Sequence, residues 1–432
     1  MLVERDDVLA ALRELADDAA TGAGRLVFVG GEAGVGKTTL AGALTVEAPA
    51  GTAVRQGACD SLSTAEALGP LLDAAPEIAD ALGDESTLSR PRVFRRIQDV
   101  LCQSPTLLVL DDVHWADEAT LDLLRFVGRR IDRWPLMIVA TFRADEVGPA
   151  HPLTVVMGDL VTVPGVVRMQ LPPLTLDGVR RLVDEAGSQI DPAHLHARTG
   201  GNPFYVTEVL ATASEDVPVT VRDAVMARNS RLSGPARSVL GAAAVLAQRV
   251  DVDFVLDVSG QSVEGVDECV AHGVLVVDGS TVGFRHELAR LAVASTLSRA
   301  DVIDLNARAL AELLRRGSND DRRLAYHAAG CGDRAAVAQY APRAAERAAR
   351  LWAHREAAEQ YAVALRWLDD ADPARAGLLE RRSYECYVTD QAEQAVECRA
   401  ELLELYERQG DRAGVGAVPA VAVPAVVVPR PE

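Results

Sequence analysis

Short runs of apolar residues alternate with longer amphipathic segments over the first 172 residues of the chain. The apolar runs lie near residues 25–30, 52–57, 106–111, 136–141 and 166–171. Uninterrupted runs of this length are typical of parallel strands that are buried on both faces, and the segments between them are long enough for helices. The pattern therefore predicts an α/β core over residues 1–172, in which a parallel sheet lies between two layers of helices.

Helical periodicity precedes the first of these strands and follows the last. Residues 4–20 predict an amphipathic helix, because their apolar positions recur near helical spacing. Residues 173–215 are also predicted to be helical, with Thr175 as an N-cap-like start. We expect this second segment to form a lid over the core.

A winged helix is predicted over residues 216–300. The helical patterns in this segment lie near residues 218–230, 234–246, 251–258 and 263–272. Two β-type runs then flank the turn at 278–280, which is a hairpin signal. Residues 262–272 correspond to the DNA-recognition helix of a winged helix. They contain three acidic residues and no Lys or Arg. We therefore interpret this domain as an intramolecular switch element.

The last part of the chain is rich in Ala and Leu and predicts helices over residues 301–411. Residues 356–365 have the small–aromatic–small spacing of a tetratricopeptide helix pair, with a looser echo near 394–402; a plain helical bundle is the alternative. From residue 412 to residue 432 the chain alternates Val, Ala and Pro. The prolines preclude a continuous helix, so this tail is predicted to be disordered.

Composition excludes several classes of function. The 432 residues carry a formal net charge of −19, which argues against a general nucleic-acid binder and against docking on anionic lipid. No apolar run reaches 18 residues, and the acidic N-terminus has no apolar signal core. Six scattered cysteines form no CxxC pair, as expected of free thiols in a reducing cytosol. We expect a cytoplasmic protein without a membrane partner.

One segment carries a phosphate-binding motif. Residues 31–38 match G-x-x-x-x-G-K-[ST], the P-loop, between a predicted strand and a predicted helix. Backbone N–H groups of such a loop surround phosphate oxygens, the lysine contacts the β- and γ-phosphates, and the hydroxyl after it ligates Mg²⁺. Lys37 is the only lysine of the chain. The alternative, a glycine turn with a surface lysine, does not account for this context. The candidate nucleotide-binding residues are Gly31, Glu32, Ala33, Gly34, Val35, Gly36, Lys37, Thr38 and Thr39.

Polar residues follow two further strands. Asp111 at the end of the third strand is placed to hold Mg²⁺ together with Thr38, and Asp112 could orient or deprotonate the attacking water. Thr141 and Arg143 end the next strand and are candidates to face the γ-phosphate. The alternatives are two solvated aspartates at a strand end and two exposed loop residues.

These residues together resemble a known family. The chain is similar to STAND-type, AAA-related P-loop ATPases, and more narrowly to the N-terminal ATPase region of large bacterial LuxR-type transcriptional regulators. The resemblance rests on an ordered series of motifs at residues 30–40, 57–64, 107–117, 139–146, 199–204 and 284–288. It implies ATP, ADP in the resting state and Mg²⁺ as ligands. It also implies that the helical repeats bind a protein or a small ligand.

The resemblance adds two site residues and one expectation about the C-terminal end. Pro203 matches the GxP motif, whose proline packs on adenine, and His286 matches a histidine at the phosphate end of bound ADP. A loop proline and a core or helix-capping histidine are the alternatives. Family members continue through further repeats to a DNA-binding helix-turn-helix, for which 432 residues leave no room. We therefore expect that this sequence is truncated or frameshifted.

Three functions fit the sequence. The first is a signalling switch that binds ATP·Mg²⁺, hydrolyses it slowly and does not recognise specific DNA by itself. The second is a DNA-acting AAA-type ATPase that reads DNA with its winged helix, and the third is a degenerate nucleotide-binding protein without turnover. Nucleotide-dependent self-association is possible in each case, with Arg129 and Arg130 as candidates to complete a site between subunits.

Overall fold

A computed structural model gives the architecture of the chain. It describes residues 2–59, 67–82, 90–211, 229, 231–246, 249–285 and 287–411. The chain divides into two compact units, Met1–Arg316 and Gly317–Glu432. The predicted helix near 218–230 and the predicted tail at 412–432 lie outside the described residues, apart from residue 229.

A five-stranded parallel sheet forms the centre of the first unit and confirms the predicted α/β core. Its strands lie in the order β2-β3-β4-β1-β5 and pair in parallel. They are β1 (Arg25–Gly31), β2 (Ala53–Ala58), β3 (Thr106–Asp111), β4 (Leu136–Arg143) and β5 (Val166–Gln170). The carboxyl ends of β1, β3 and β4 therefore meet at one edge, where ligands bind in open α/β sheets.

Helices cover both faces of this sheet. They are α1 (Asp6–Ala20), α2 (Lys37–Val46), α3 (Gly69–Ala74), α4 (Glu77–Leu82), α5 (Arg90–Leu101), α6 (Glu118–Gly128) and α7 (Pro152–Asp159). Leu12 of α1 and Leu40 of α2 pack in one core with alternate residues of the central strands, such as Val27 and Val139. On the opposite face, the end of α6 lies against Leu26.

Three short helices follow the sheet, in the segment predicted as a lid. They are α8 (Leu176–Glu185), α9 (Pro192–Thr199) and α10 (Pro203–Ala211). The side chain of Thr175 accepts a hydrogen bond from the Gly178 N–H at 3.3 Å, so it is the N-cap that the sequence predicts. The three helices bury Val179, Leu195 and Val206 in a core of their own.

The remainder of the first unit combines helices with a small antiparallel sheet. The helices are α11 (Gly234–Leu246), α12 (Val252–Ser259), α13 (Val263–Ala271), α14 (Glu287–Ala294) and α15 (Arg299–Arg315), and the strands β6 (Val250–Asp251), β7 (Leu275–Asp278) and β8 (Thr281–Phe284) pair in the order β6-β8-β7. The predicted hairpin is thus present. The assignment of the whole segment as a winged helix stays a prediction.

The second unit is helical over its described residues. It contains α16 (Asp321–Cys331), α17 (Arg334–Arg350), α18 (His354–Trp367), α19 (Ala374–Val388) and α20 (Ala392–Gln409). The division at residue 316 differs from the boundary expected near residue 300, because α15 packs against α11 and α12 of the first unit. Among the described residues, no helix combines the length and apolarity needed to cross a bilayer.

Candidate nucleotide-binding site

The predicted P-loop joins the end of β1 to the start of α2. Gly34 and Gly36 have φ angles of +79° and +99°, a left-handed conformation that glycine adopts without a steric penalty. Gly36 directly precedes Lys37, the first residue of α2. The backbone N–H groups at this helix start lack intrahelical partners and attract anions. The chain thus builds the strand–loop–helix arrangement that the motif requires.

Lys37 is held inside this loop. Its side chain is buried, and Nζ donates hydrogen bonds to the carbonyl oxygens of Gly31 and Glu32, both at 2.9 Å. Burial lowers the pKa of Lys37 below its ordinary value, while the charge of Asp112 opposes that shift. The ammonium group is therefore desolvated and fixed at the cavity wall, where a phosphate group can replace the two carbonyl oxygens as its acceptor.

Three oxygen-bearing side chains form a connected row at the carboxyl ends of β3 and β4. The Thr38 hydroxyl donates to Asp111 Oδ2 at 2.6 Å, and the Thr141 hydroxyl donates to Asp111 Oδ1. Thr141 Oγ1 also accepts the backbone N–H of Asp112 at 2.9 Å. Thr141 therefore contacts both aspartates, and it does not belong to the lining of the cavity in which it was expected to face the γ-phosphate.

Asp112 begins a second group of charged residues. It has a φ of +55°, which turns the chain sharply after β3. Its Oδ2 lies 3.7 Å from Nη2 of Arg143, and its Oδ1 lies 3.7 Å from Nδ1 of His114. Arg143 also pairs with Glu146 at 2.5 Å, and its guanidinium carbon lies 4.4 Å from the ring centre of Trp115.

His114 occupies the centre of this group. Its Nε2 lies 3.4 Å from Glu146 Oε2, and neither ring nitrogen has a hydrogen-bond partner within the described part of the chain. Burial, and then the charges of Arg143 and Lys37, lower the pKa of His114 to about 3. The imidazole is therefore neutral near pH 7 and offers one N–H donor and one acceptor.

A cavity of about 570 Å³ brings part of the predicted site together, whereas Gly31, Glu32, Asp111 and Thr141 do not belong to its lining. Residues 33–39 line it, as do Asp112, Arg143 and Pro203. A volume of this size is typical of small-molecule sites. Its apolar lining residues include Leu2, Val3, Leu174, Leu182 and Pro203, so an apolar wall beside the lid accompanies the charged residues at the P-loop.

The start of α10 is hydrogen-bonded directly to the P-loop. Asn202 Nδ2 donates to the Ala33 carbonyl oxygen at 2.8 Å, and the Phe204 N–H donates to the Gly34 carbonyl oxygen at 3.2 Å. A Cβ atom at Gly34 would lie 2.7 Å from Cβ of Phe204, which is closer than two carbon atoms can approach. Gly34 is therefore required both by its φ angle and by this packing.

The sequence interpretation missed Arg5 and Glu4 near the N-terminus. Arg5 is buried and lines the cavity, and its guanidinium donates to the carbonyl oxygens of Val35 at 3.3 Å and Pro172 at 2.7 Å. Glu4 has a φ of +56° and accepts the Thr175 N–H at 2.8 Å. No motif identified these residues, because the contacts span 30 to 171 positions along the chain.

The segment after the lid also reaches the cavity. Arg249, Gly273, Val276 and Arg285 belong to its lining, and the sequence interpretation did not select them as site residues. His286 follows Arg285, but it lies outside the described residues, as do residues 60–64 of the 57–64 motif. Arg129 and Arg130 precede β4, at the sheet edge opposite its carboxyl end, and do not belong to the lining.

The residues present fit a nucleoside triphosphate with Mg²⁺. The P-loop presents backbone N–H groups and a buried ammonium group to phosphate oxygens, and the apolar wall is suited to a base. Thr38 and Asp111 supply the hydroxyl and carboxylate oxygens that Mg²⁺ prefers. Their two side chains are within hydrogen-bond distance of each other, at 2.6 Å, so both can face one ion.

Comparisons with known proteins agree with this geometry. Residues 1–139 match the family described as AAA ATPase domain, so this part of the chain is similar to a P-loop ATPase domain of the AAA type. An uncharacterized protein of Rhizobium meliloti (strain 1021) is 27% identical over 226 residues, which are 45% of this chain and 21% of that protein. The chain thus spans about a fifth of the length of the curated relative that it matches.

One solved structure shares the fold. The STAND protein (signal transduction ATPase with numerous domains) with a tetratricopeptide repeat sensor from Pyrococcus horikoshii superposes with a TM-score of 0.57 at 15% identity, over 96% of this chain and 66% of that one. A Walker-type ATPase of Pyrococcus abyssi gives a TM-score of 0.36 at 14% identity, over 68% of this chain and 96% of that one. The first similarity extends over both units of this chain.

Proposed function

We propose that this chain is an ATP-operated signalling switch of the STAND type, related to the ATPase region of LuxR-type regulators. One observation carries the proposal: besides residues 2–5, three separate parts of the first unit line the same cavity. These are the P-loop and strand ends, the lid at residues 174–208, and the segment at residues 249–285. A nucleotide in this cavity contacts all three, so its presence and its phosphate number alter how they are held together.

ATP binding places the phosphates at the P-loop and the base at the apolar wall. Lys37 Nζ leaves the carbonyl oxygens of Gly31 and Glu32 and contacts the β- and γ-phosphates, a charge-assisted interaction. Pro203 and Leu174 contact the base. Thr38 and Asp111 would hold Mg²⁺, which would supply positive charge to the phosphates.

Hydrolysis follows from the residues at the phosphate end. Asp112 orients the attacking water and accepts its proton, and Arg143 contacts the γ-phosphate from the neighbouring strand. Loss of the γ-phosphate removes the contact with Arg143 and returns the switch to its ADP state. The helical second unit offers a surface for a protein or small ligand, as in the tetratricopeptide sensor named for the Pyrococcus horikoshii protein.

Hydrogen–deuterium exchange of the purified chain tests this switch. We expect ATP·Mg²⁺ to slow amide exchange at residues 31–38 and also at residues 200–211 and 273–285, and ADP to protect the last two segments less. Phosphate release should accompany the return to the ADP pattern. Protection confined to the P-loop, with the same pattern for ATP and ADP, would show that the chain binds nucleotide but does not act as a switch.

A further inference from the structure

Arg143 is proposed to contact the γ-phosphate, but its guanidinium is already paired with an acidic side chain at 2.5 Å. Glu146 lies three residues after Arg143 and binds its Nη1, while the guanidinium carbon lies over the ring of Trp115, 4.4 Å from the ring centre. The Arg143 side chain is 6% exposed, whereas the Glu146 side chain is 38% exposed. The cation is thus fixed at the cavity wall by a partner that does not itself line the cavity.

This pair forms a ring of four side chains together with His114 and Asp112. Going around it, the distances are 2.5 Å from Arg143 to Glu146, 3.4 Å from Glu146 to His114, 3.7 Å from His114 to Asp112 and 3.7 Å from Asp112 to Arg143. A buried polar group without a hydrogen bond costs free energy, and both nitrogens of His114 are in that state. The imidazole is therefore placed to gain a hydrogen bond when a neighbour moves.

We propose that Glu146 restrains Arg143 in the absence of a terminal phosphate, and that His114 replaces Arg143 as the donor to Glu146 when the guanidinium turns to the γ-phosphate. Glu146 and His114 are positioning residues in this account, and together they set the preference of the site for ATP over ADP. The inference rests on the proposed function, because it needs a nucleotide whose γ-phosphate reaches Arg143.

The direction of each effect follows from this exchange. A terminal phosphate competes with Glu146 for one guanidinium, so a stronger Arg143–Glu146 pair opposes ATP binding and leaves ADP binding unaffected. A hydrogen bond from His114 to Glu146 lowers the cost of separating the pair, because the carboxylate keeps a donor. Removing the Glu146 charge should therefore raise the ATP preference, and removing the His114 donor should lower it.

The test measures ATP·Mg²⁺ and ADP·Mg²⁺ affinities of the full chain by titration calorimetry. Glu146→Gln is expected to raise the ratio of ATP to ADP affinity by about three- to tenfold, the scale of a partly exposed ion pair. Asp145→Asn is the matched control, because it removes the same charge from the adjacent exposed position. It should change both affinities alike and leave the ratio unchanged.

His114→Phe should change the ratio of ATP to ADP affinity in the opposite direction. Phe retains a planar ring in the buried site but has no donor, so we expect the ATP to ADP ratio to fall by about two- to fivefold. A melting curve checks that this buried variant is folded; if it is not, Glu146→Gln decides alone. In the Arg143→Ala background, Glu146→Gln should have no effect on the ratio, because the pair no longer exists.

An unchanged ratio in Glu146→Gln would overturn the inference, as would the same change in Asp145→Asn. Lys37→Ala separates this failure from failure of the proposed function. If Lys37→Ala weakens nucleotide binding while Glu146→Gln leaves the ratio unchanged, the site binds nucleotide and only the restraint on Arg143 is wrong. If Lys37→Ala has no effect on binding, the proposed function itself is wrong.

Discussion

Asp111 and Asp112 are adjacent in the chain but face different partners. Asp111 ends β3 and lies against the hydroxyls of Thr38 and Thr141, whereas Asp112 has a left-handed backbone and lies beside Arg143 and His114. The first environment suits a metal ligand and the second suits a group that handles water. The structure therefore gives each carboxylate a distinct proposed role.

The two isosteric amide variants should separate these roles. Asp111→Asn is expected to lower ATP affinity about tenfold in Mg²⁺ and to leave affinity in EDTA unchanged, because it weakens a metal ligand. Asp112→Asn should keep ATP·Mg²⁺ binding within about twofold and slow phosphate release by about 100-fold or more. Calorimetry and a phosphate-release assay measure both, with Asp145→Asn as the charge control. Equal loss of binding in the two variants would contradict this division.

At the scale of single residues, sequence motifs predicted the part of the site that is local in the chain. Lys37 and Thr38 follow a strand and begin a helix, and Asp111 ends another strand, so their positions follow from short-range pattern. Arg5 and Asn202 were not selected as site residues, because their role depends on carbonyl groups far along the chain, at Val35 and Ala33. Such contacts exist only after the sheet and the lid have packed.

At the scale of elements, the first turn of α10 and the P-loop form one packed unit. Asn202 and Phe204 bond to consecutive P-loop carbonyl groups, and the packing leaves no space for a side chain at Gly34. A movement of the lid away from the core must therefore break these contacts. We therefore propose two tasks for the P-loop, to bind phosphate and to hold the lid.

Two glycine variants isolate the second task. Gly34→Ala and Gly36→Ala both place a side chain at a positive φ, at a cost of about 1–2 kcal/mol. Only Gly34→Ala also collides with Phe204, since no atom lies within 4 Å of a Cβ atom placed at Gly36. We expect Gly34→Ala alone to speed amide exchange at residues 203–211. Equal exchange in the two variants would show that the lid does not depend on this contact.

Strands were easier to predict than the arrangement of elements. The central strands β1, β3 and β4 are buried on both faces, which leaves apolar runs such as residues 107–110 that are visible in the sequence. The end of the first unit was harder, because α15 has the same Ala- and Leu-rich composition as the helices of the second unit. Only its packing on α11 and α12 assigns it to the first unit.

At the scale of the whole molecule, charge bears on the choice between a switch and a DNA-acting ATPase. The chain carries a net charge of −19, and α13, the helix to which the winged-helix prediction assigns the position of a DNA reader, contains Glu264, Asp267 and Glu268 without a Lys or Arg. Glu268 is also engaged by the backbone N–H and the hydroxyl of Ser233. Phosphate contacts supply most of non-specific DNA affinity, and this helix offers no cation for them.

We therefore expect the purified chain not to shift duplex DNA in an electrophoretic assay at 0.1 M salt, with or without ATP. At this ionic strength charges are screened beyond about 10 Å, so repulsion acts mainly at close approach. A second assay with Glu264→Lys and Asp267→Lys together measures how far α13 alone excludes DNA. A specific footprint by the unmodified chain would favour the DNA-acting ATPase over the switch.

The central claim is that residues 31–38 bind the phosphates of ATP, and one titration tests it most directly. Lys37→Ala removes a charge-assisted contact worth about 1.5–3 kcal/mol, so ATP·Mg²⁺ affinity should fall by roughly ten- to hundredfold in a chain that melts normally. Lys37→Arg keeps the charge but not the compact ammonium group, and it should also bind weakly. Unchanged affinity in a folded Lys37→Ala chain would contradict the account.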